Sequence, residues 1–369
     1  MPTYPASETE RRVDAVALGQ LVGAVFRHRG MRPKDAALLA DTLVTADRRG
    51  VHSHGVLRVP EYVRKLAGGG VDPQGRPEVV RQVGACLVVD GGNSMGQIGA
   101  HFAMRRAIEV AGGSVGTPGG APGTGIAAAA VRGSNHCGAM AYYAMQALPA
   151  DMIGLATTNA LPTMAPWGGA ERLLGINPLA VAVPAGEELP IVYDAAFSAT
   201  AHGKVRVYRQ KGLDLPPGWA LDRDGRPTTD PAAALDGLLL PIGGFKGTAL
   251  ALLMGLLSSM LSGAAYGTEL GSMEDGPRPG QDGHFLLAIS IAAFEDVARF
   301  KARVDGAVRQ LRGARKAPDT ERIYAPGELE FETAARYDRE GVPLNQETLG
   351  DLAATARACG VDPAPLTDA

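Results

Sequence analysis

Cysteine is scarce in this chain of 369 residues: Cys86, Cys137 and Cys359 are the only three. Odd in number and far apart, they make no disulfide framework, and no Cys-x-x-Cys pair marks a zinc site. No resident metal is expected, and a reducing compartment such as the cytoplasm fits. Aromatic residues are also few, at 5%, while there are 49 glycines. A core with so little aromatic volume has to be built from small side chains in close packing. Basic runs are missing and the formal net charge is -3, so nucleic acid has no electrostatic foothold. The polar opening MPTYPASETERR lacks the apolar core of a signal peptide. Long apolar runs are limited to one, TALALLMGLLSSMLSGAA at 248–265. It approaches bilayer length, but its serines, its glycines and its isolation predict a buried helix instead of a membrane span.

What is present alternates between two textures. In the first part, Leu18, Leu21, Val22 and Val25 repeat at helical spacing, and Gly30 stops that helix. A second helix starts at Pro33, which suits a first helical turn, and runs to about Arg49. A loop at 50–55 and a short helix near 60–66 follow. From about residue 80, strands and helices alternate. CLVVD (86–90), GIAAAAV (125–131), MIGLATT (152–158), LAVAVP (179–184), IVYD (191–194) and HFLLAIS (284–290) read as strands. Residues 97–111 and 139–148 read as helices, the second stopped by Pro149. Such alternation predicts an α/β fold, with helices layered on a largely buried sheet. A last helix is expected over 346–359, capped by Asn345 and ended by Gly360. The stretch GGSVGTPGGAPGTG (112–125) lacks the spacing of a phosphate loop, so it reads as a flexible surface insertion.

Reactive residue types gather in five places. RRGVHSHGVLRVPEY (48–62) sets two histidines, a serine and three arginines around glycine turns. Histidine exchanges protons near neutral pH, as carbonyl reduction requires, and arginine offers a planar fork to a carboxylate. The competing reading is a helix end with solvated arginines. RGSNHCGAM (132–140) is a strand-to-helix turn whose small residues admit a ligand or simply make the turn. Asp194 closes an apolar strand, where it can orient a histidine, hold a ribose hydroxyl, or cap the next turn. PIGGFKG (241–247) places Lys246 at a helix start, suited to a pyrophosphate or to nothing beyond a glycine turn. APGE (325–328) is a turn bearing a carboxylate. None of these is a Rossmann fingerprint. Ser53 beside His54 does not make a hydrolase, since adjacent residues rarely reach nucleophile–base geometry and no Gly-x-Ser-x-Gly elbow occurs.

Taken in order, RGVHSHGVLRVPEY, GSNHCGAMAYY, TTNALPTMAPWGGAERLLGINPLAVAVP, VYDAAFS, GWALDRDGRPTTDP, LPIGGFKG, GHFLLAI and RIYAPGE resemble the malate/L-lactate dehydrogenase family of the non-Rossmann kind, from about Val16 to Val361. That family includes ureidoglycolate and sulfolactate dehydrogenases, diketogulonate reductase and piperideine-2-carboxylate reductase. Cys137 stands where the family usually has Phe, and the 112–124 insertion is longer than usual.

The resemblance implies a mixed-sheet α/β fold over 76–314. It also implies a helical region formed by both chain ends, 1–75 and 315–369. It implies hydride transfer between NAD or NADP and a small 2-oxo or 2-hydroxy acid. His54 would be the acid/base, with Ser53 and Asp194 relaying charge to it, and Arg58 would bind the substrate carboxylate. The coenzyme contacts implied are His136, Cys137, Gly138, Ala139 and Met140; Pro190, Ile191, Val192, Tyr193, Asp194, Ala195 and Ala196; Lys246 and Gly247; and Pro326, Gly327 and Glu328. A homodimer is implied as well. Reduction of a cyclic imine 2-carboxylate is the alternative activity. Nucleotide binding without turnover is a more remote one.

Overall fold

The computed structural model describes residues 10–113, 122–274 and 276–367. The chain opens with β1 (Arg11–Val13), α1 (Ala15–His28), α2 (Pro33–Arg48) and α3 (Val59–Ala67). The Asp14 carboxylate caps α1 by accepting from Ala17 N at 2.8 Å, and Pro33 opens α2 as expected. Next come β2 (Glu78–Val83), β3 (Cys86–Asp90), α4 (Gly96–Gly112), β4 (Ile126–Ser134), α5 (Ala141–Ala144), β5 (Met152–Thr158), β6 (Leu179–Val183) and β7 (Ile191–Ala195). A peripheral stretch holds α6 (His202–Gln210), β8 (Ala220–Leu221), β9 (Pro227–Thr228), α7 (Pro231–Asp236) and β10 (Leu238–Leu239). The last part comprises α8 (Phe245–Gly255), β11 (Asp282–Ser290), α9 (Val297–Arg312), α10 (Glu328–Glu340), β12 (Val342–Leu344), α11 (Gln346–Ala358) and α12 (Ala364–Thr367).

Seven strands form the main sheet in the order β2-β3-β4-β11-β5-β6-β7. Only β3 and β4 pair in parallel, with α4 as their crossover, so the sheet is mixed and not doubly wound. The scarcity of aromatics has its counterpart here. The alanines of β4 lie under α4, whose Ala100, Ala103, Ala107 and Ala111 are buried. The start of α4 presses so closely on the end of β4 that a Cβ at Gly96 would fall 1.9 Å from Asn135 O. A second core forms where the chain ends meet. Strand β1 pairs antiparallel with β12, and Leu18, Phe26, Leu39, Leu43, Val56 and Tyr62 pack with Tyr337 and Leu352. Asn345 caps α11 by accepting from Thr348 N at 2.8 Å, and Gly360 takes φ +70° after its end.

Two expectations need correction. The helix anticipated at 139–148 is α5 alone, followed by a tighter turn over Met145–Ala150 that contains Pro149. The segment 248–265 is not a buried helix. It continues α8 into a wider turn at Leu256–Met260, and Leu250, Leu253, Met260 and Leu261 are exposed. The inward side carries Ala251, Gly255, Ser258 and Ser259 instead. It meets a polar floor, where Asn177 Nδ2 donates to Ala251 O at 2.7 Å and Asn159 Nδ2 donates to Ser259 Oγ at 2.7 Å. Only small residues fit there, so the leucines face out. Among the described residues no helix is long and apolar enough to cross a membrane. Of the 112–125 insertion, residues 114–121 lie outside the described residues; its flanks join where Gly113 bridges Pro122.

Candidate active site

The C-terminal part of α2, the turn after it, the 138–142 turn, the end of β7 and the start of α10 enclose a cleft of about 180 Å³. Thr45, Arg49, Ser53, His54, Gly138, Asp194 and Glu330 are among its lining residues.

His54 sits on the tight turn His52–His54. That turn is pinned from beneath by Asp47, which is 1% exposed. Its carboxylate accepts from His52 Nδ1 at 2.7 Å and from Val56 N at 2.7 Å. Gly55 makes this possible, because a Cβ there would fall 2.1 Å from Asp47 Oδ1. From the side, Arg58 Nε donates to Ser53 O at 3.0 Å while Arg58 Nη1 pairs with Glu61 at 2.8 Å. Helix α6 closes the back, with Gly203 so near that a Cβ would lie 2.8 Å from Ser53 Cβ.

Within this frame Ser53 Oγ is hydrogen-bonded to His54 Nδ1 at 2.8 Å. The bond commits Nδ1 and leaves Nε2 as the nitrogen available to a ligand. Burial, then the Arg58 charge and His136, hold His54 well below the usual histidine range, so it is neutral at neutral pH. His136 stacks on it with ring centres 5.8 Å apart. Gln97 Nε2 donates to the Tyr62 hydroxyl at 3.2 Å, and that hydroxyl is hydrogen-bonded to His136 Nδ1 at 2.6 Å. Burial lowers the His136 pKa to about 3, so this ring is neutral too.

Asp194 opens onto the same cleft from the end of β7. Its Oδ2 accepts from Ala141 N at 2.7 Å rather than bonding to His54. It remains open to solvent along the cleft, yet protein crowds it elsewhere, and the lost hydration lifts its carboxyl to about 6. Of the other expected contacts, Ala139, Met140, Val192, Ala195 and Ala196 also line the cleft. Pro190, Ile191 and Tyr193 do not; strand alternation turns Ile191 and Tyr193 from the face that bears Val192 and Asp194. Cys137 is buried, with Sγ 3.5 Å from Met140 Sδ.

Lys246 is exposed in the first turn of α8, outside the cleft lining. A Cβ at Gly247 would fall 2.3 Å from Ile242 O, so that glycine lets the helix start close on its own turn. Pro326 O accepts from Val192 N at 3.0 Å, and Gly327 packs against Val192 at φ +88°. Glu328 is buried, accepting from Ala325 N at 2.9 Å and pairing with Arg312 and Arg322.

Arg49 belongs to the cleft although its sequence singles it out only as one of three neighbouring arginines. It is 8% exposed, its guanidinium lies 4.6 Å over the Phe331 ring, and Glu330 and Asp194 attract it from a distance. Among the described residues no carboxylate pairs with it. A buried guanidinium whose donors are left to the cleft suits an anionic ligand.

A Ser–His pair opening on a cleft that also holds a carboxylate and an unpaired guanidinium, at the edge of a mixed sheet, suits proton exchange with an anionic ligand. The comparisons agree: the chain belongs to the malate/L-lactate dehydrogenase family, which it matches over residues 13–353. It is 36% identical to malate dehydrogenase of Pyrococcus abyssi over 95% of both chains. It is 34% identical to a Delta(1)-pyrroline-2-carboxylate/Delta(1)-piperideine-2-carboxylate reductase of Pseudomonas putida, over 94% of this chain and 98% of that one. The solved sulfolactate dehydrogenase of Methanocaldococcus jannaschii superposes with a TM-score of 0.85 at 33% identity, covering 96% of this chain and 98% of that one. The chain is thus an oxidoreductase of that family, whose relatives are named for malate, sulfolactate and cyclic imine carboxylates.

Proposed function

We propose that the protein interconverts a small 2-oxo acid and its 2-hydroxy acid with NAD or NADP, and that His54 moves the proton. The observation that carries this is the Ser53–His54 pair, a neutral imidazole in the wall of the cleft with one nitrogen committed. The residues present fit a nicotinamide coenzyme: Asp194 offers an acceptor for a ribose hydroxyl, and Arg49 a buried, unpaired cation for a phosphate. When bound, the coenzyme supplies or accepts the hydride. In oxidation neutral His54 takes the substrate hydroxyl proton and becomes imidazolium; in reduction the imidazolium returns that proton to the substrate oxygen and the ring is neutral again. Ser53 holds the ring by Nδ1. Arg58, already tied to Ser53 and Glu61 by two of its nitrogens, keeps a third free for the substrate carboxylate. Lys246 lies ready for a coenzyme phosphate at the start of α8.

His54→Ala should lower turnover of a 2-oxo acid by roughly two to four orders of magnitude while coenzyme affinity, read by fluorescence, stays within about twofold. Near-normal turnover would remove His54 from the mechanism. The likeness to the Pseudomonas putida reductase favours a second reading, reduction of a cyclic imine 2-carboxylate. A panel of 2-oxo acids and cyclic imines, each run with NADH and NADPH, separates the two and sets the coenzyme.

We place the protein in the cytoplasm as a homodimer. Its three cysteines are free, which suits a reducing compartment. Leu253, Met260, Leu261, Phe245 and Trp167 leave apolar surface uncovered on one chain, as a partner would require. Sedimentation should give a dimer that Leu253→Lys with Leu261→Lys dissociates; a monomeric parent sinks that assignment.

A further inference from the structure

Helix α2 joins two cavities. Its C-terminal half lines the His54 cleft, and its first turn lines a second cavity of about 540 Å³ between α2, α4 and the residues before β2. From Lys34 to Ala46 the helix rise separates them by about 18 Å, so the second cavity is no part of the first.

Its walls are of two kinds. The floor is apolar, made by Leu38, Pro77, Ile98 and Phe102. The rim is cationic, made by Arg32, Lys34, Arg76 and Arg105. Arg32 is satisfied, pairing with Asp35 at 2.5 Å and donating to Gly75 O at 3.0 Å. Lys34, Arg76 and Arg105 have no carboxylate within 4 Å among the described residues, and all three are exposed. His101 also lines the cavity, and its Nδ1 is buried without a hydrogen-bond partner. Burial, then Arg105 and Lys34, depress its pKa. No side chain caps the start of α2, so the positive end of that helix adds to the same field.

Three unpaired cations around one concave space repel one another, and a chain of net charge -3 holds them together without any broad basic surface. That concave group of three cations is far smaller than a nucleic-acid face. We propose that this cavity is a binding site for a small organic polyphosphate, with its ring on Phe102 and Ile98 and its phosphates on Lys34, Arg76 and Arg105. A nucleoside diphosphate or triphosphate has that chemistry. The site is separate from the coenzyme cleft and does not depend on how that cleft is used.

The test is calorimetric titration of the full chain with ATP and with inorganic pyrophosphate, beside fluorescence titration with NADH and NADPH. Arg76→Glu with Arg105→Glu reverses two exposed charges and should weaken ATP binding by about tenfold or more. Lys34→Ala should weaken it less, and added salt should weaken it in the parent. ATP should bind more tightly than pyrophosphate, through the apolar floor. Nicotinamide coenzyme affinity should be unchanged in every variant, which separates this site from the cleft. ATP affinity equal in the parent and in a folded double variant would overturn the assignment. So would the absence of heat from either anion at millimolar concentration. Pyrophosphate binding as tightly as ATP would overturn the organic part. Should the double variant fail to fold, the same comparison is made with Arg76→Ala and Arg105→Ala singly.

Discussion

Two glycine-bearing turns of this chain look alike in sequence and come out opposite in structure. Both the His52–His54 turn and the turn that starts α8 put a cationic or protonatable residue beside glycines at a helix boundary. The first is held on every side: Asp47 beneath, Arg58 and Glu61 beside, Gly203 behind. The second leaves Phe245 and Lys246 exposed, with Gly247 serving the backbone. The difference is polar satisfaction. A proton-transfer group has to be placed to within a fraction of an ångström, whereas a cation that meets a phosphate only has to be near.

If the first turn is rigid by design, its buried pin should matter most. Asp47→Ala strands the buried Val56 amide and removes one partner of His52, at a cost of about 2 kcal/mol of stability. A resulting shift of His54 by about 1 Å should lower kcat roughly a hundredfold with little change in coenzyme affinity. Asp47→Asn, which still accepts from Val56 N, should recover part of both. Denaturant melts and steady-state kinetics on the two variants check this. If Asp47→Ala keeps full turnover, the contrast between pinned and open turns is lost.

A subtler disturbance comes from behind. Gly203→Ala inserts one methyl group where Ser53 Cβ already stands, so α6 or the turn must give way. We expect a loss of kcat of about tenfold, from a displacement smaller than that caused by losing Asp47. The diagnostic is the pH profile of hydroxy-acid oxidation. The limb set by neutral His54 should move if the Ser53 bond is altered, and stay put if the methyl merely loosens α6.

The regular elements were legible where a local rule suffices. Pro33 at the start of α2, Asn345 before α11 and the alanine run of β4 each announce their element. Legibility fails where an element shows little of a buried face. Strand β2 is an edge strand exposed at most positions, so no apolar alternation betrays it. Helix α9 buries only Asp305 and Val308, which leaves its apolar rhythm weak; Asp296, which caps it by accepting from Arg299 N, is the signal that was there to use. In the site, His54, Ser53, Arg58 and Asp194 stand out through recognisable motifs. Asp47, Arg49 and Gly203 do not, because what they do is settled by partners elsewhere in the chain: Val56 and Gly55, Phe331 and Glu330, and Ser53. The outward leucines after Thr248 are hidden from the sequence for a related reason. The polar floor of Asn159 and Asn177 comes from a distant part of the sequence.

The smallest effect is expected at the open turn, and it separates two meanings of Lys246. A lysine in the first turn of a helix opposes the helix dipole, so by itself it weakens α8 slightly. The charge makes sense there if a ligand uses it. Lys246→Ala should therefore raise the melting temperature a little while weakening coenzyme binding about three- to tenfold, more at low salt than at high. The two readouts move in opposite directions only if the lysine binds phosphate. A small rise in melting temperature with unchanged coenzyme affinity would make the lysine an ordinary solvated charge. A fall in both would mean that it supports the fold of the α8 turn, and that turn would no longer count as the loosely held member of the pair.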